Sequence, residues 1–170
     1  MDTQYLAIAI QYYIAGRSAT FAHSLPVAGL LFHYALEMLF KFVLVKNAGY
    51  SDDQLQKRFG HDLNKLWCEV KGILKDPTLD RFDELVSGLD PFWDLRYPRQ
   101  GYVISISVFR SQMPAISDMK SEQQYQTSLE EIDEFVSSVL THRVTPEWIR
   151  GLMHGDACEQ YKRENKHPFF

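Results

Sequence analysis

The stretch between Pro26 and Val45 constrains this chain more than any other. Its strongly polar side chains are His33, Glu37 and Lys41, and the remainder is apolar on nearly every side. These three fall at i, i+4 and i+8, so on a helix they form one narrow stripe. A helix that is apolar nearly all round has to be wrapped by other elements. The expected fold is therefore all-α, a single helical bundle around a long central helix at about 24–48. Ser24 is placed to cap its start, and Pro26 sits in its first turn, where a missing N–H is harmless. Asn47-Ala48-Gly49 supplies the stop. Residues 27–45 approach a membrane-crossing length, but a Glu and a Lys in the middle favour a core helix, so no membrane contact is expected.

Helical signals flank this stretch on both sides. Residues 3–15 repeat Tyr5, Leu6, Ala9, Tyr12 and Tyr13 at helical spacing, and Gly16 marks a place to loosen or stop. Ser51-x-x-Gln54 is a capping-box spacing for a short helix ending near Gly60. Asp62 precedes the amphipathic run Leu63, Leu66, Trp67, Val70, Ile73, Leu74. Asp76-Pro77 and Asp90-Pro91 open helices at 77–87 and 91–95, each with a carboxylate as cap. Ser121-x-x-Gln124 repeats the box before Leu129, Ile132, Phe135, Val136, Val139 and Leu140, and Thr145-Pro146 opens a short last helix.

One segment breaks the pattern. Tyr102–Phe109 alternates Ile104, Ile106 and Val108 with Ser105 and Ser107, which is strand-like. With no second strand evident, this insertion near 101–110 reads as an extended loop, a small ribbon or a strand paired across a dimer. The chain of 170 residues is long enough to bury one real core. Residues 1–155 are taken as that single domain and 156–170 as a polar C-terminal tail.

Composition narrows the function. A net charge of −4 argues against a dedicated nucleic-acid binder with a basic face, although residues 142–170 are locally basic. Cys68 and Cys158 make neither a disulfide framework nor a C-x-x-C metal spacing, so a reduced, cytoplasmic setting is expected. The start Met-Asp-Thr-Gln has no basic region followed by an apolar run, and no secretory signal is read there. The histidines lack metal-ligand spacing, and no glycine-rich phosphate loop is present, so neither a metal nor a cofactor is expected.

Three clusters carry candidate chemistry. His33, Glu37 and Lys41 present an acid, a base and a cation along one line, suited to a phosphate-bearing ligand or to proton transfer. The competing reading is an intrahelical Glu37–Lys41 pair worth a few tenths of a kcal/mol. His61 and Asp62, beside a helix start, suit anion binding or acid–base work, or else Asp62 is a cap and His61 bonds a neighbouring helix. Arg96 and Arg99 bracket Tyr97-Pro98 and suit a phosphate or a stacked base, or else Arg96 pairs with a carboxylate such as Glu37 or Asp94.

Taken together, HYALEMLFKFVLV (33–45), GHDLNKLW (60–67) and LRYP (95–98) resemble the HEPN domain, the higher eukaryotes and prokaryotes nucleotide-binding domain. The resemblance covers about 24–99 and implies a small helical bundle whose second helix carries Ala-x-Glu-x-x-x-Lys, here Ala35, Glu37 and Lys41. It also implies a homodimer and, for many members, metal-independent endoribonuclease activity. That activity uses an Arg and a His with four to six residues between them, near the last core helix. The Arg stabilises the phosphate and the His moves the 2′-OH proton, leaving a cyclic phosphate. In this chain Arg17 and His23 fit by count, but they precede the central helix. The expectation is thus a HEPN-like, non-catalytic module that binds RNA, a nucleotide or a partner protein as a homodimer. The rivals are a ribonuclease with a non-standard site, from Arg17 and His23 or from His61, Arg96 and Arg99, and a helical scaffold without a ligand.

Overall fold

The computed structural model describes residues 2–97, 101–114 and 123–141. The expected all-α architecture is what it contains, with one small sheet set into it. Helix α1 spans Asp2–Phe21 and α2 spans Leu25–Ala48. Then come α3 (Asp52–Arg58), α4 (Leu63–Leu74), α5 (Asp83–Leu89) and, after the sheet, α6 (Leu129–Thr141). Helix α2 is packed against α1, α4, α5, the segment after α5 and the first strand. By length and composition α2 is also apolar enough to cross a membrane, and 72% of that apolar window is buried inside the protein.

Several local expectations change. Gly16 does not end α1; it lets α1 and α2 approach, because a Cβ there would lie 2.8 Å from the Phe32 ring. The turn between the two helices is made by the backbone: His23 has φ 55°, and the Ser24 N–H donates to Ala19 O at 2.9 Å. The Ser24 side chain makes no capping bond, and only its carbonyl enters the first helical turn, accepting from Ala28. Gly49 closes α2 in the left-handed conformation at φ 70°, as the sequence led one to expect. The Ser51–Gln54 capping box is formed in full, and Asp62 caps α4 by accepting from Lys65 N–H at 2.9 Å.

The expected helix 77–87 is divided into a 3₁₀ segment, Pro77–Phe82, and α5. A second 3₁₀ segment, Asp90–Arg96, stands where a helix at 91–95 was expected. Asp90 does not cap its own turn. Its Oδ1 accepts the Leu63 N–H at 2.7 Å, satisfying a helix start 27 residues upstream.

The strand-like segment finds its partner within the chain. Strands β1 (Tyr102–Ser107) and β2 (Gln123–Ser128) pair in parallel, with Ile104 opposite Tyr125 and Ile106 opposite Thr127. Gln124 therefore lies in a strand, and the Ser121-x-x-Gln124 box does not open α6. Ser128 does so instead, its Oγ accepting the Glu131 N–H at 3.3 Å. Buried residues of α6 carry its expected apolar face into the core, where the Phe135 ring meets those of Phe40, Trp67 and Phe82. The expected helix at Thr145-Pro146 and the polar tail lie outside the described residues.

Gly29 marks the tightest approach around α2. A Cβ built there would lie 2.2 Å from Cδ1 of Phe92, a ring with no exposed surface. Gly29→Ala is therefore expected to destabilise the fold by about 1–3 kcal/mol through overpacking. A urea midpoint equal to that of the parent chain would show that the ring moves aside freely.

Candidate functional site

The polar seam of α2 faces inward. His33, Glu37 and Lys41 are 0%, 1% and 6% exposed, so their partners come from the chain itself. Glu37 is the node. Its Oε1 accepts from Lys41 Nζ at 2.5 Å, and its Oε2 accepts from His61 Nδ1 at 3.0 Å. His33 Nε2 stands 3.9 Å from the same Oε2. Both carboxylate oxygens are thus engaged, which is what lets the group stay in a dry core.

His33 is oriented by the backbone. Its Nδ1 lies 3.1 Å from the carbonyl of Leu89, which can only accept, so Nδ1 carries the proton. Nε2 is buried and accepts no hydrogen bond. Burial holds the His33 pKa below its ordinary 6.5, although the Leu89 carbonyl and the Glu37 and Asp90 carboxylates pull the other way.

His61 reaches this node from the α3–α4 turn. Phe59 ends α3, Gly60 turns the chain at φ 57°, and Asp62 caps α4, so His61 is fixed between two helix termini. At Asp62, burial alone would raise the pKa, but the bonds from the Lys65 N–H and ammonium hold it below the usual carboxylate range. The His61 side chain remains 43% exposed. With Nδ1 committed as donor to Glu37, the neutral ring carries its lone pair on Nε2.

The 3₁₀ segment Asp90–Arg96 brings a second wall. Its ring of Trp93 stacks near-parallel to His61, with centroids 6.0 Å apart and planes 13° apart. In a 3₁₀ helix, residues three apart eclipse, which sets Arg96 on Trp93. The guanidinium carbon lies 4.0 Å from the Trp93 ring centre and 5.0 Å from that of Tyr97. Arg96 thus lies over two aromatic rings, an exposed arrangement rather than the pairing with Glu37 considered from sequence. Phe59, His61, Asp62, Asp90 and Trp93 line a cleft of about 310 Å³.

The sequence candidates therefore sort into three sets. His33, Glu37, Lys41 and His61 come together in one network, and Asp62 and Arg96 border its exposed end. Arg17 and His23 have separate environments: Arg17 is buried in an ion pair with Asp133 of α6, to which Tyr13 also donates at 2.5 Å, while His23 is exposed in the turn. Arg17 is a clamp between α1 and α6, which removes it from a phosphate-binding role. Arg99 lies outside the described residues. Trp93 and the carboxylate of Asp90 were missed as site residues. The available signal was the spacing of Trp93 three residues before Arg96 in a segment opened by Asp-Pro.

Compared with family models, curated proteins and solved structures, the chain matches none of them.

The lowered pKa of His33 sets a pH dependence of stability. An unfolded imidazole titrates near 6.5 and the folded one lower, so the unfolded chain binds more protons below that pH. The contribution of His33 is complete above about 6.5 and is lost as pH falls toward the folded value. His33→Asn keeps a donor for the Leu89 carbonyl and removes the titration. Melting temperatures from pH 7.5 down to 5 should fall less steeply in that variant; parallel curves would contradict the assignment.

Proposed function

We propose that the chain is a HEPN-like helical module that binds RNA or a nucleotide without cleaving it, as a homodimer, on the face formed by His61, Trp93 and Arg96. The observation that carries this reading is Arg96 lying over Trp93 beside a near-parallel His61 ring. Bases stack on aromatic rings with a gain of about 1–3 kcal/mol each, and a guanidinium beside the ring supplies phosphate contact and cation–π attraction. The rings are positioned by helix caps and by the buried Glu37, so little ordering is left for the ligand to impose. The homodimer follows from the family resemblance. The seam of α2 is buried within the chain and is not the docking surface.

Sedimentation velocity with a labelled single-stranded RNA tests both parts together. The expected result is a species of twice the 19.8 kDa chain mass that carries the RNA. Trp93→Ala should weaken binding by about tenfold or more, while Arg96→Ala should also flatten its salt dependence. Undiminished binding by both variants would move the ligand to another surface.

A metal-independent ribonuclease is the second reading, favoured by one observation. The partly exposed His61 is held through Nδ1 by the buried Glu37, the relation of an acid–base histidine to the carboxylate that orients it. This version predicts RNA cleavage that persists in EDTA, leaves a cyclic phosphate and disappears in His61→Ala. Intact RNA after prolonged incubation with the parent chain would leave binding alone.

A further inference from the structure

The cleft beside Trp93 has a chemistry of its own that the stacking face does not use. Asp90 lines it, and only Oδ1 of that carboxylate is engaged, by the Leu63 N–H at 2.7 Å. Oδ2 takes no hydrogen bond among the described residues. The other carboxylate in the lining, Asp62, is occupied by Lys65, which donates through its backbone N–H and its ammonium, each at 2.9 Å. The lining is otherwise aromatic: Phe59, His61 and Trp93. Cationic groups border this cleft at Arg96 and Lys65, so its charges are balanced locally rather than summing to a cation trap.

A cleft of about 310 Å³ with flat rings and one acceptor-only oxygen suits a planar group that offers hydrogen-bond donors along an edge. Phosphate is disfavoured inside it by Asp62 and Asp90, which leaves phosphate to Arg96 at the border. Among the common bases, guanine presents adjacent N1–H and N2–H donors on one edge. Adenine presents an acceptor at N1 beside its amino group, which a carboxylate repels. We propose that the cleft selects guanine, with the base held within the lining of Phe59, His61 and Trp93 and its N1–H/N2–H edge donating to Oδ2 of Asp90. This assignment rests on the base-binding reading given above and adds to it the identity of the base and the residue that reads it.

Asp90 would then have two roles through two oxygens. Oδ1 ties the 3₁₀ segment to the start of α4 and so holds the carboxylate in place, while Oδ2 faces the base edge. Such prior engagement matters because a charged hydrogen bond discriminates well only when the acceptor has little freedom to turn away. Asp90→Asn is an informative substitution for the same reason. It keeps an oxygen for the Leu63 N–H and replaces the second oxygen with a donor, which opposes guanine and tolerates adenine N1.

Calorimetric titration of the full chain with GMP, IMP and AMP decides the matter. The expected order is GMP tightest, IMP intermediate because it lacks the 2-amino donor, and AMP weakest by about tenfold or more. Asp90→Asn should abolish the preference and leave AMP binding no weaker. The comparison of the three nucleotides needs no variant, so misfolding of Asp90→Asn would not obscure it. Equal affinities for GMP and AMP, or a preference unchanged in a folded Asp90→Asn, would overturn the guanine assignment while leaving base binding in place. A parent chain that binds none of the three and no short RNA would end the base-binding reading, and this one with it.

Discussion

A single buried carboxylate organises the polar side of this protein. Glu37 sits in the middle of a helix whose other faces are apolar, and its two oxygens are claimed by Lys41 and His61. Apolar contact is non-directional, and away from the close approach at Gly29 it can be satisfied by more than one face of α2. A buried charge cannot. Left without partners it costs several kcal/mol, so arrangements that fail to bring His61 and Lys41 to Glu37 are strongly disfavoured. The network is better understood as choosing one orientation for α2 than as a large net source of stability, since desolvating an ion pair offsets much of its attraction.

The same requirement explains the two irregular segments nearest the node. His61 has to leave the α3–α4 turn and enter the core side of α2, which a left-handed Gly60 and the capping Asp62 make possible. Leu89 has to present its carbonyl to His33 at the end of α5, and the chain then continues as a 3₁₀ segment instead of a regular helix. That continuation places Asp90 against the start of α4 and stands Trp93 beside His61. Two turns far apart in sequence are thereby joined by one backbone-to-carboxylate bond and one ring stack. The cleft between them is a consequence of how the buried charge is satisfied.

Elements governed by neighbouring residues were legible in the sequence, and elements governed by distant ones were not. The apolar period of α2, the capping box at Ser51 and the cap at Asp62 are local relations, and each is realised. The hydrophobic face of α6 was legible for the same reason, though its true cap, Ser128, was hidden by a better-looking box at Ser121-x-x-Gln124. Strand β2 reads Gln-Gln-Tyr-Gln-Thr-Ser, with no β-branched alternation, and owes its form to a parallel partner across a connection. Gly16 looked like a stop because a glycine's use for close approach depends on what faces it, here Phe32. Arg17 looked like a catalytic candidate by spacing, and only the fold brings Asp133, 116 positions away, onto it. In the candidate site, the seam residues and His61 were legible as types; that they form one network through Glu37 was not.

Of the four residues in that network, His61 alone has a large exposed fraction. Anything that binds in the cleft meets the Glu37 network through this one side chain. A ligand that favours one ring position of His61 changes what Glu37 experiences at Oε2, and Glu37 in turn faces Lys41 and the unbonded nitrogen of His33. Linkage makes such effects reciprocal: whatever the buried groups do to the affinity of the cleft, the occupied cleft does to them. The orphaned His33 Nε2 is then more than a packing defect. It is the one buried polar atom of the network whose hydrogen-bonding state is unsettled, and it lies a single carboxylate away from the surface that the ligand would occupy.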